Sequence, residues 1–350
     1  MKKKKVVVLQ SQVPFVRGGA ELLVENLTKQ LRQRNFDAEI VSIPFKWYPN
    51  QTLLDQFLMW RLADLTQSNG SPIDLVIANK VPNYMAKHPN KVIWLMHQFR
   101  AAYDLADNVM AGGLNTIPGG LETKKAVIRM DNIGISEAKH IYTISKTTTN
   151  RLNKYNNISS TPLYHPPALE GKYYADRYED YILSVGRLDS SKRVDLLIRA
   201  LQYCDRQVRA VIAGTGPIQK DLEKLSDSLG VRDRVTFLGF VPDQELLKLY
   251  ANSLAICFPP IDEDYGYITL EAFLSKKPVI TCHDSGGVLE FVKHEKSGFI
   301  CAVEPKEIGA ACNAFYHNKS LAREYGAAGF ETVKDIKWDH VIDELTKTIR

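Results

Sequence analysis

Two glutamates, Glu263 and Glu271, stand eight positions apart in the run Glu263-Asp264-Tyr265-Gly266-Tyr267-Ile268-Thr269-Leu270-Glu271-Ala272. Gly266 offers a turn between them, and Ile268 to Leu274 reads as the start of a helix. Upstream, the apolar run Leu254 to Phe258 meets Pro259-Pro260 and reads as a buried strand that stops abruptly. A carboxylate on the loop and another on the helix could then face one ligand at the end of a sheet, where open α/β sheets bind their ligands.

Cations have a comparable placement. Gly186-Arg187-Leu188-Asp189-Ser190-Ser191-Lys192-Arg193 follows the apolar run Tyr181 to Val185, which reads as a strand. Arg187 at the strand's end and Lys192 just before a helix could converge on a diphosphate. Each such charge pair is worth up to ~4 kcal/mol at ~4 Å and an effective dielectric near 20, before desolvation is subtracted. Gly18-Gly19-Ala20-Glu21 opens the first helix, where glycines let backbone N–H groups approach an anion. No Gly-Lys-Ser/Thr follows, so this is not a phosphate loop of that type. Gly214-Thr215-Gly216-Pro217 is half of a dinucleotide fingerprint; Gln219 stands where the third glycine belongs, so it reads as a close-approach turn and not as a nicotinamide site. Asp284-Ser285-Gly286-Gly287 follows the strand Val279 to Cys282 and suits either a tight turn or close backbone approach to a ligand. His97 ends the run Val92 to Met96, where a neutral imidazole could bond a sugar hydroxyl, and Arg100 could reach an acceptor or phosphate. His165 sits among prolines, and His283 ends a strand.

These groups need two sheets to position them. The chain has 350 residues, more than one core usually serves. Short apolar strands alternate with helical stripes from Lys5-Leu9 through Ile141-Ile144, with Ala20, Val24, Leu27 and Leu31 on one helical face and Gln56 to Leu65 helical. Pro162, Pro166, Pro167 and Gly171 read as a linker. The alternation then restarts at Tyr181, with helices Val194 to Tyr203 and Gln219 to Leu229. The expected class is α/β, two Rossmann-like domains of parallel strands facing across a cleft, at 1–165 and 172–335. The stripe Trp338, Val341, Ile342, Leu345 and Ile349 predicts a terminal helix over 336–350 that packs back on a core.

Hydrophobic content of 45% and charged content of 24% are those of a soluble globular protein, and the net charge of +5 is mild. No apolar run approaches the length needed to span a bilayer. Met1 with Lys2 to Lys5 imitates a signal peptide, but the apolar part ends at Gln10, so a first buried strand is expected instead. The five cysteines, Cys204, Cys257, Cys282, Cys301 and Cys312, show no metal-type spacing and point to a reducing, cytoplasmic setting. Cys257 and Cys282 read as small core residues.

The order of these pieces resembles the retaining nucleotide-sugar glycosyltransferases of family 4, which have the GT-B fold. It runs Gly18-Gly19-Ala20-Glu21, Gly186-Arg187-Leu188 with Lys192 and Asp195, Gly214-Thr215-Gly216-Pro217, Phe237-Leu238-Gly239, Glu263 through Glu271, Pro278-Val279-Ile280, Gly286-Gly287 with Glu290, and Gly298-Phe299. The likeness is dense from Tyr181 to Val303 and thinner before it. It implies that Arg187 and Lys192 hold the donor diphosphate, that Glu263 contacts the donor sugar, and that Glu271 bonds the ribose. The backbone around Gly266 and Tyr267 would approach sugar and phosphate, Gly18-Gly19 would contact the phosphate from the other domain, and His97 would contact the sugar. Gly214 belongs to the same donor set. Asp264-Tyr265 replaces the family's common Gly-Phe, a bulkier and charged loop beside the sugar.

The implied reaction moves a sugar from a nucleotide-diphosphate donor to a glycan or lipid-linked acceptor with retention of configuration. Arg187, Lys192 and a helix N-terminus would stabilise the leaving group without a metal or other cofactor. No Asp-x-Asp metal motif appears; Asp262-Glu263-Asp264 occupies the sugar loop. A sugar-nucleotide epimerase or hydrolase, and a non-catalytic scaffold, are the alternatives on the same fold. Nucleic acid is not an expected partner. The basic lead with Lys80, Lys87, Lys91, Lys124, Lys125 and Arg129 could meet the anionic inner face of a membrane, and scattered solvated lysines explain them equally well.

Overall fold

The computed structural model describes residues 2–16 and 18–350; Arg17 and Met1, the start of the basic lead, lie outside the described residues. The chain divides into two compact units, Met1–Ala168 with Lys337–Arg350, and Leu169–Ile336.

The first unit runs β1 (Lys5–Gln12), α1 (Gly19–Gln33), β2 (Asp37–Pro44), α2 (Asn50–Leu62), a small hairpin β3 (Gln67–Ser68) and β4 (Ser71–Pro72), then β5 (Leu75–Lys80), β6 (Lys91–His97), α3 (Gly120–Ser136), β7 (His140–Thr143), α4 (Lys146–Asn156) and β8 (Thr161–Pro162). Its main sheet is parallel, in the order β2-β1-β5-β6-β7-β8. Val6 to Leu9 and Val92 to Met96 are buried along their whole length, as strands covered on both faces must be.

The second unit runs β9 (Tyr181–Val185), α5 (Val194–Ala200), β10 (Arg209–Ala213), α6 (Gln219–Ser228), β11 (Val235–Gly239), α7 (Asp243–Asn252), β12 (Ala255–Cys257), α8 (Tyr267–Leu274), β13 (Val279–Cys282), β14 (Gly298–Cys301), α9 (Pro305–His317) and α10 (Lys319–Val333). Its sheet is parallel, in the order β11-β10-β9-β12-β13-β14. The reversal of strand order falls between β9 and β12, and loops leaving such neighbouring strands diverge and open a crevice.

The chain then returns to the first unit as α11 (Trp338–Thr346). Trp338 packs edge-on to Trp94 at 6.2 Å and beside His165 at 6.0 Å. Val341, Ile342 and Leu345 are buried with it, and Arg34 pairs with Asp339 at 2.5 Å.

Of the residues read as a linker, only Pro162 falls in a strand. Pro162 lies in β8, paired with β7, and Pro166 and Pro167 are buried, so the chain passes between units only after Ala168. His165 is fully buried against Trp94, and burial drives its imidazole down to a pKa of about 3, so it stays neutral. Lys91 is likewise no surface cation. It is 1% exposed, and its ammonium donates to the carbonyls of Tyr84 (2.8 Å) and Gly134 (2.9 Å). Of the cysteines, Cys257, Cys282, Cys301 and Cys312 are buried, and all five are free thiols. Among the described residues, no helix is long and apolar enough to cross a membrane.

Candidate functional site

β12 ends at Cys257; Phe258 N–H still bonds Ile280 O at 2.9 Å, and Pro259 and Pro260 then supply no N–H to a ladder. The following loop is fastened to the loop after β13. Asp262 N–H donates to Asp284 O at 2.9 Å, and Gly287 N–H donates to Glu263 O at 2.7 Å. Gly286 makes this approach feasible. It sits at φ +62°, and a Cβ there would stand 2.5 Å from Glu263 O. Glu263 is therefore anchored through its backbone while its side chain projects from the loop.

That side chain meets Lys192. Asp189 accepts from Ser191 N–H (3.0 Å) and Ser191 Oγ (2.5 Å), which closes a 3-10 turn over Ser190–Lys192. The turn brings Lys192 Nζ to 2.5 Å from Glu263 Oε2 and 5.8 Å from the centroid of the Phe258 ring. The two side chains are 21% and 26% exposed, so the pair is partly open to solvent.

The next residue is the one that sequence reasoning overlooked. Arg193 turns inward at φ +49°, a left-handed conformation that side chains adopt at a cost. Its guanidinium donates to Pro259 O (2.8 Å), Pro260 O (2.7 Å) and both carboxylate oxygens of Asp284 (3.0 and 2.5 Å). One buried fork thus fastens the loop carrying Glu263 to the loop carrying Gly286. Its only signal in the sequence was a second cation directly after Lys192, and nothing there says which of the two points inward.

Glu271 lies one turn into α8, behind Gly266, which takes φ +85° ahead of the helix. Tyr250 O–H on α7 donates to Glu271 Oε2 at 2.6 Å. Enclosure by protein raises the Glu271 pKa above the ordinary carboxylate range, and the Tyr250 bond opposes that rise. Tyr267 starts α8, with its ring 5.5 Å from that of Tyr265, and burial beside Glu271 raises its phenol pKa.

The remaining sequence-selected residues stand apart from this pair. Arg187 is 63% exposed, with Nε 3.9 Å from Asp189. Gly214, at φ +143°, makes its close approach to its own chain: a Cβ there would stand 1.9 Å from Gly186 O. In the first unit, Gly18 N–H donates to Glu21 Oε2 at 2.8 Å, so this amide is taken by the helix's own capping carboxylate, and Gly19 begins α1. His97 ends β6 with Nδ1 2.7 Å from Gln98 O, and it is the register partner of Lys80 on β5. The enclosed Lys80 ammonium has its pKa lowered by burial and partly restored by Glu21. Among the described residues no group of three or more His, Cys, Asp or Glu side chains gathers as a metal site.

The two doubly wound units are those of the GT-B glycosyltransferase fold. HepE of Anabaena, solved with UDP and glucose, matches 99% of this chain and 99% of its own at a TM-score of 0.71 and 18% identity. Sucrose-phosphate synthase from Thermosynechococcus elongatus matches 98% of each chain at a TM-score of 0.77 and 16% identity. At such identities the likeness is one of fold. Within it, residues 170–332, nearly all of the second unit, match the family described as Glycosyl transferases group 1. An uncharacterized glycosyltransferase of Methanocaldococcus jannaschii is 33% identical over 177 residues, 49% of this chain and 45% of that protein. The alpha-1,3/1,6-mannosyltransferase ALG2 of Mus musculus is 33% identical over 163 residues, 42% of this chain and 39% of its own. The chain spans less than half the length of these curated relatives.

Proposed function

We propose that this chain is a retaining glycosyltransferase that moves a sugar from a nucleotide-diphosphate donor to a glycan or lipid-linked acceptor without a metal. The observation that carries the reading is the Lys192–Glu263 pair at 2.5 Å, held on glycine-bearing loops at the carboxyl ends of β9, β12 and β13, in the unit that matches the transferase family. A ligand bearing both a diphosphate and a sugar can replace this ion pair with two separate contacts, phosphate oxygens to Lys192 and sugar hydroxyls to Glu263. Arg187, exposed on the same β9 loop, can swing onto the diphosphate as a bidentate donor. Charge that develops on the departing nucleotide is then met by fixed cations and by the α8 N-terminus. Glu271 takes the ribose, and Gly266 and Tyr267 bring backbone close to the sugar and phosphate. The first unit takes the acceptor, while its Gly18-Gly19 turn contacts the donor phosphate and His97 the donor sugar.

Relatives named as mannosyltransferases, among them a GDP-mannose-dependent phosphatidylinositol monomannoside mannosyltransferase of Mycobacterium tuberculosis, support a hexose donor and a lipid-linked acceptor. The basic residues that remain at the surface, Lys87, Lys124, Lys125 and Arg129, support contact with an anionic membrane face inside the cell. The test incubates the protein with GDP-mannose or UDP-glucose and a panel of glycan and lipid-linked acceptors, with and without EDTA. An acceptor-dependent product whose anomeric proton shows the donor's configuration, formed equally in EDTA, is expected. Inverted product, EDTA-sensitive turnover, or acceptor-independent donor breakdown would each refute a stated part.

A further inference from the structure

Glu271 is not held by its own helix. Oε2 accepts from Tyr250 at 2.6 Å, and Tyr250 is fully buried, so this hydroxyl has no competing solvent. Tyr173, from the segment leading into β9, packs edge-on to Tyr250 at 6.2 Å. Its hydroxyl is buried beside the Glu271 carboxyl and the Leu169 backbone, outside strict hydrogen-bond geometry, and acts on that carboxyl. Tyr267 and Asp243 are the other titratable groups that act on this carboxyl.

We infer that Tyr250 and Tyr173 are positioning residues that aim Glu271 at the vicinal hydroxyls of the donor's ribose, so that they set the preference for ribonucleoside over deoxynucleoside diphosphates. The inference rests on the donor-binding reading above. Tyr250 fixes one oxygen and so orients the other toward the ligand. Tyr173 rotates onto the carboxylate when the ligand draws it forward. With Tyr250 gone the carboxyl can rotate, and it also takes up a proton more readily, because the lost hydrogen bond was favouring its charged form. A protonated, mobile carboxyl accepts poorly from a diol.

Calorimetric titration with UDP and GDP and their 2′,3′-dideoxy forms tests this, from pH 6 to 8, on wild type, Tyr250→Phe, Tyr173→Phe and Glu271→Gln. Wild type is expected to prefer the ribo form by about tenfold or more, as befits bonds to a charged acceptor. Tyr250→Phe should reduce that preference to within about twofold at pH 6 and recover part of it at pH 8. Tyr173→Phe should reduce it by less, and either change combined with Glu271→Gln should add nothing further. A merely structural role would weaken ribo and dideoxy forms alike and leave the pH profile unmoved. Two folded tyrosine variants with the wild-type preference and pH profile would overturn the inference while leaving the donor reading intact. Wild type that binds both sugar forms equally also overturns it, and wild type that binds no nucleotide at all removes the donor reading itself.

Discussion

Replacing Arg193 should loosen the candidate site without touching any group assigned to the donor. The guanidinium supplies donors to the carbonyls of Pro259 and Pro260, both buried residues, and to Asp284, whose side chain is 40% exposed. In Arg193→Ala the two carbonyls lose their partners, at about 1–3 kcal/mol each. Asp284 can rehydrate, so the ion pair adds up to about 1 kcal/mol. The low ends of the two carbonyl costs plus the pair total about 3 kcal/mol for the second unit. Arg193→Gly loses the same bonds but relieves the left-handed strain at φ +49°, roughly 1 kcal/mol, so it should lose only about 2 kcal/mol. All four tryptophans, Trp47, Trp60, Trp94 and Trp338, lie in the first unit, so urea unfolding followed by tryptophan fluorescence should be unchanged in both variants. Hydrogen exchange of peptides spanning 259–265 and 284–288, with tyrosine near-UV dichroism, reads the second unit. Both should show earlier unfolding, in the order Ala before Gly before wild type. Equal midpoints for all three, or a glycine variant less stable than the alanine one, would refute the reasoning.

Other expectations concern the pair and the pH response. Lys192→Ala removes a partly open ion pair worth at most about 1 kcal/mol, so turnover should fall far more than the unfolding midpoint; parallel losses, or near-wild-type rates in both Lys192→Ala and Arg187→Ala, would remove these cations from the mechanism. In the first unit, Asp131 is fully buried between Tyr84 O–H (2.5 Å) and Tyr103 O–H (2.6 Å), with its pKa pushed up to about 7 by burial. Its contribution is complete below about pH 4 and is lost as pH rises toward 7. His165, pushed down to about 3, contributes above about pH 6.5 and loses its contribution as pH falls. The two slopes oppose each other between about pH 4 and 6.5, so Asp131→Asn should make tryptophan-monitored stability fall more steeply toward acid than in wild type; identical slopes would contradict it. In the second unit, burial lowers Lys277 to about 7, so stability there should rise from pH 7 toward 10, and Lys277→Met should flatten that rise.

Much of the fold was legible because parallel strands buried on both faces announce themselves as apolar runs. Lys5-Leu9, Tyr181-Val185 and Val279-Cys282 needed little more, and the terminal stripe from Trp338 to Leu345 gave its helix directly. Pro162 misled because a proline at a strand edge and one in a linker look alike; only its pairing with β7 separates the cases. Lys91 misled for a related reason. A lysine is normally solvated, and its burial depends on carbonyls of Tyr84 and Gly134, seven and 43 positions away. In the site, Glu263, Glu271 and Lys192 carry residue-type signals. The Lys192–Glu263 contact and the inward fork of Arg193 do not, because both depend on a left-handed backbone turn and on loops 66 or more residues distant. The Tyr250 bond to Glu271 was hidden for the same reason, since its two partners sit on different helices.

The most direct measurement is hydrogen exchange of the full chain with and without a saturating nucleoside diphosphate, GDP and UDP in turn. The account predicts protection in the second unit at 186–193 and 262–271, and its loss in Lys192→Ala and Glu271→Gln. Protection confined to other segments, or none at a concentration that shifts the melting temperature, would contradict it.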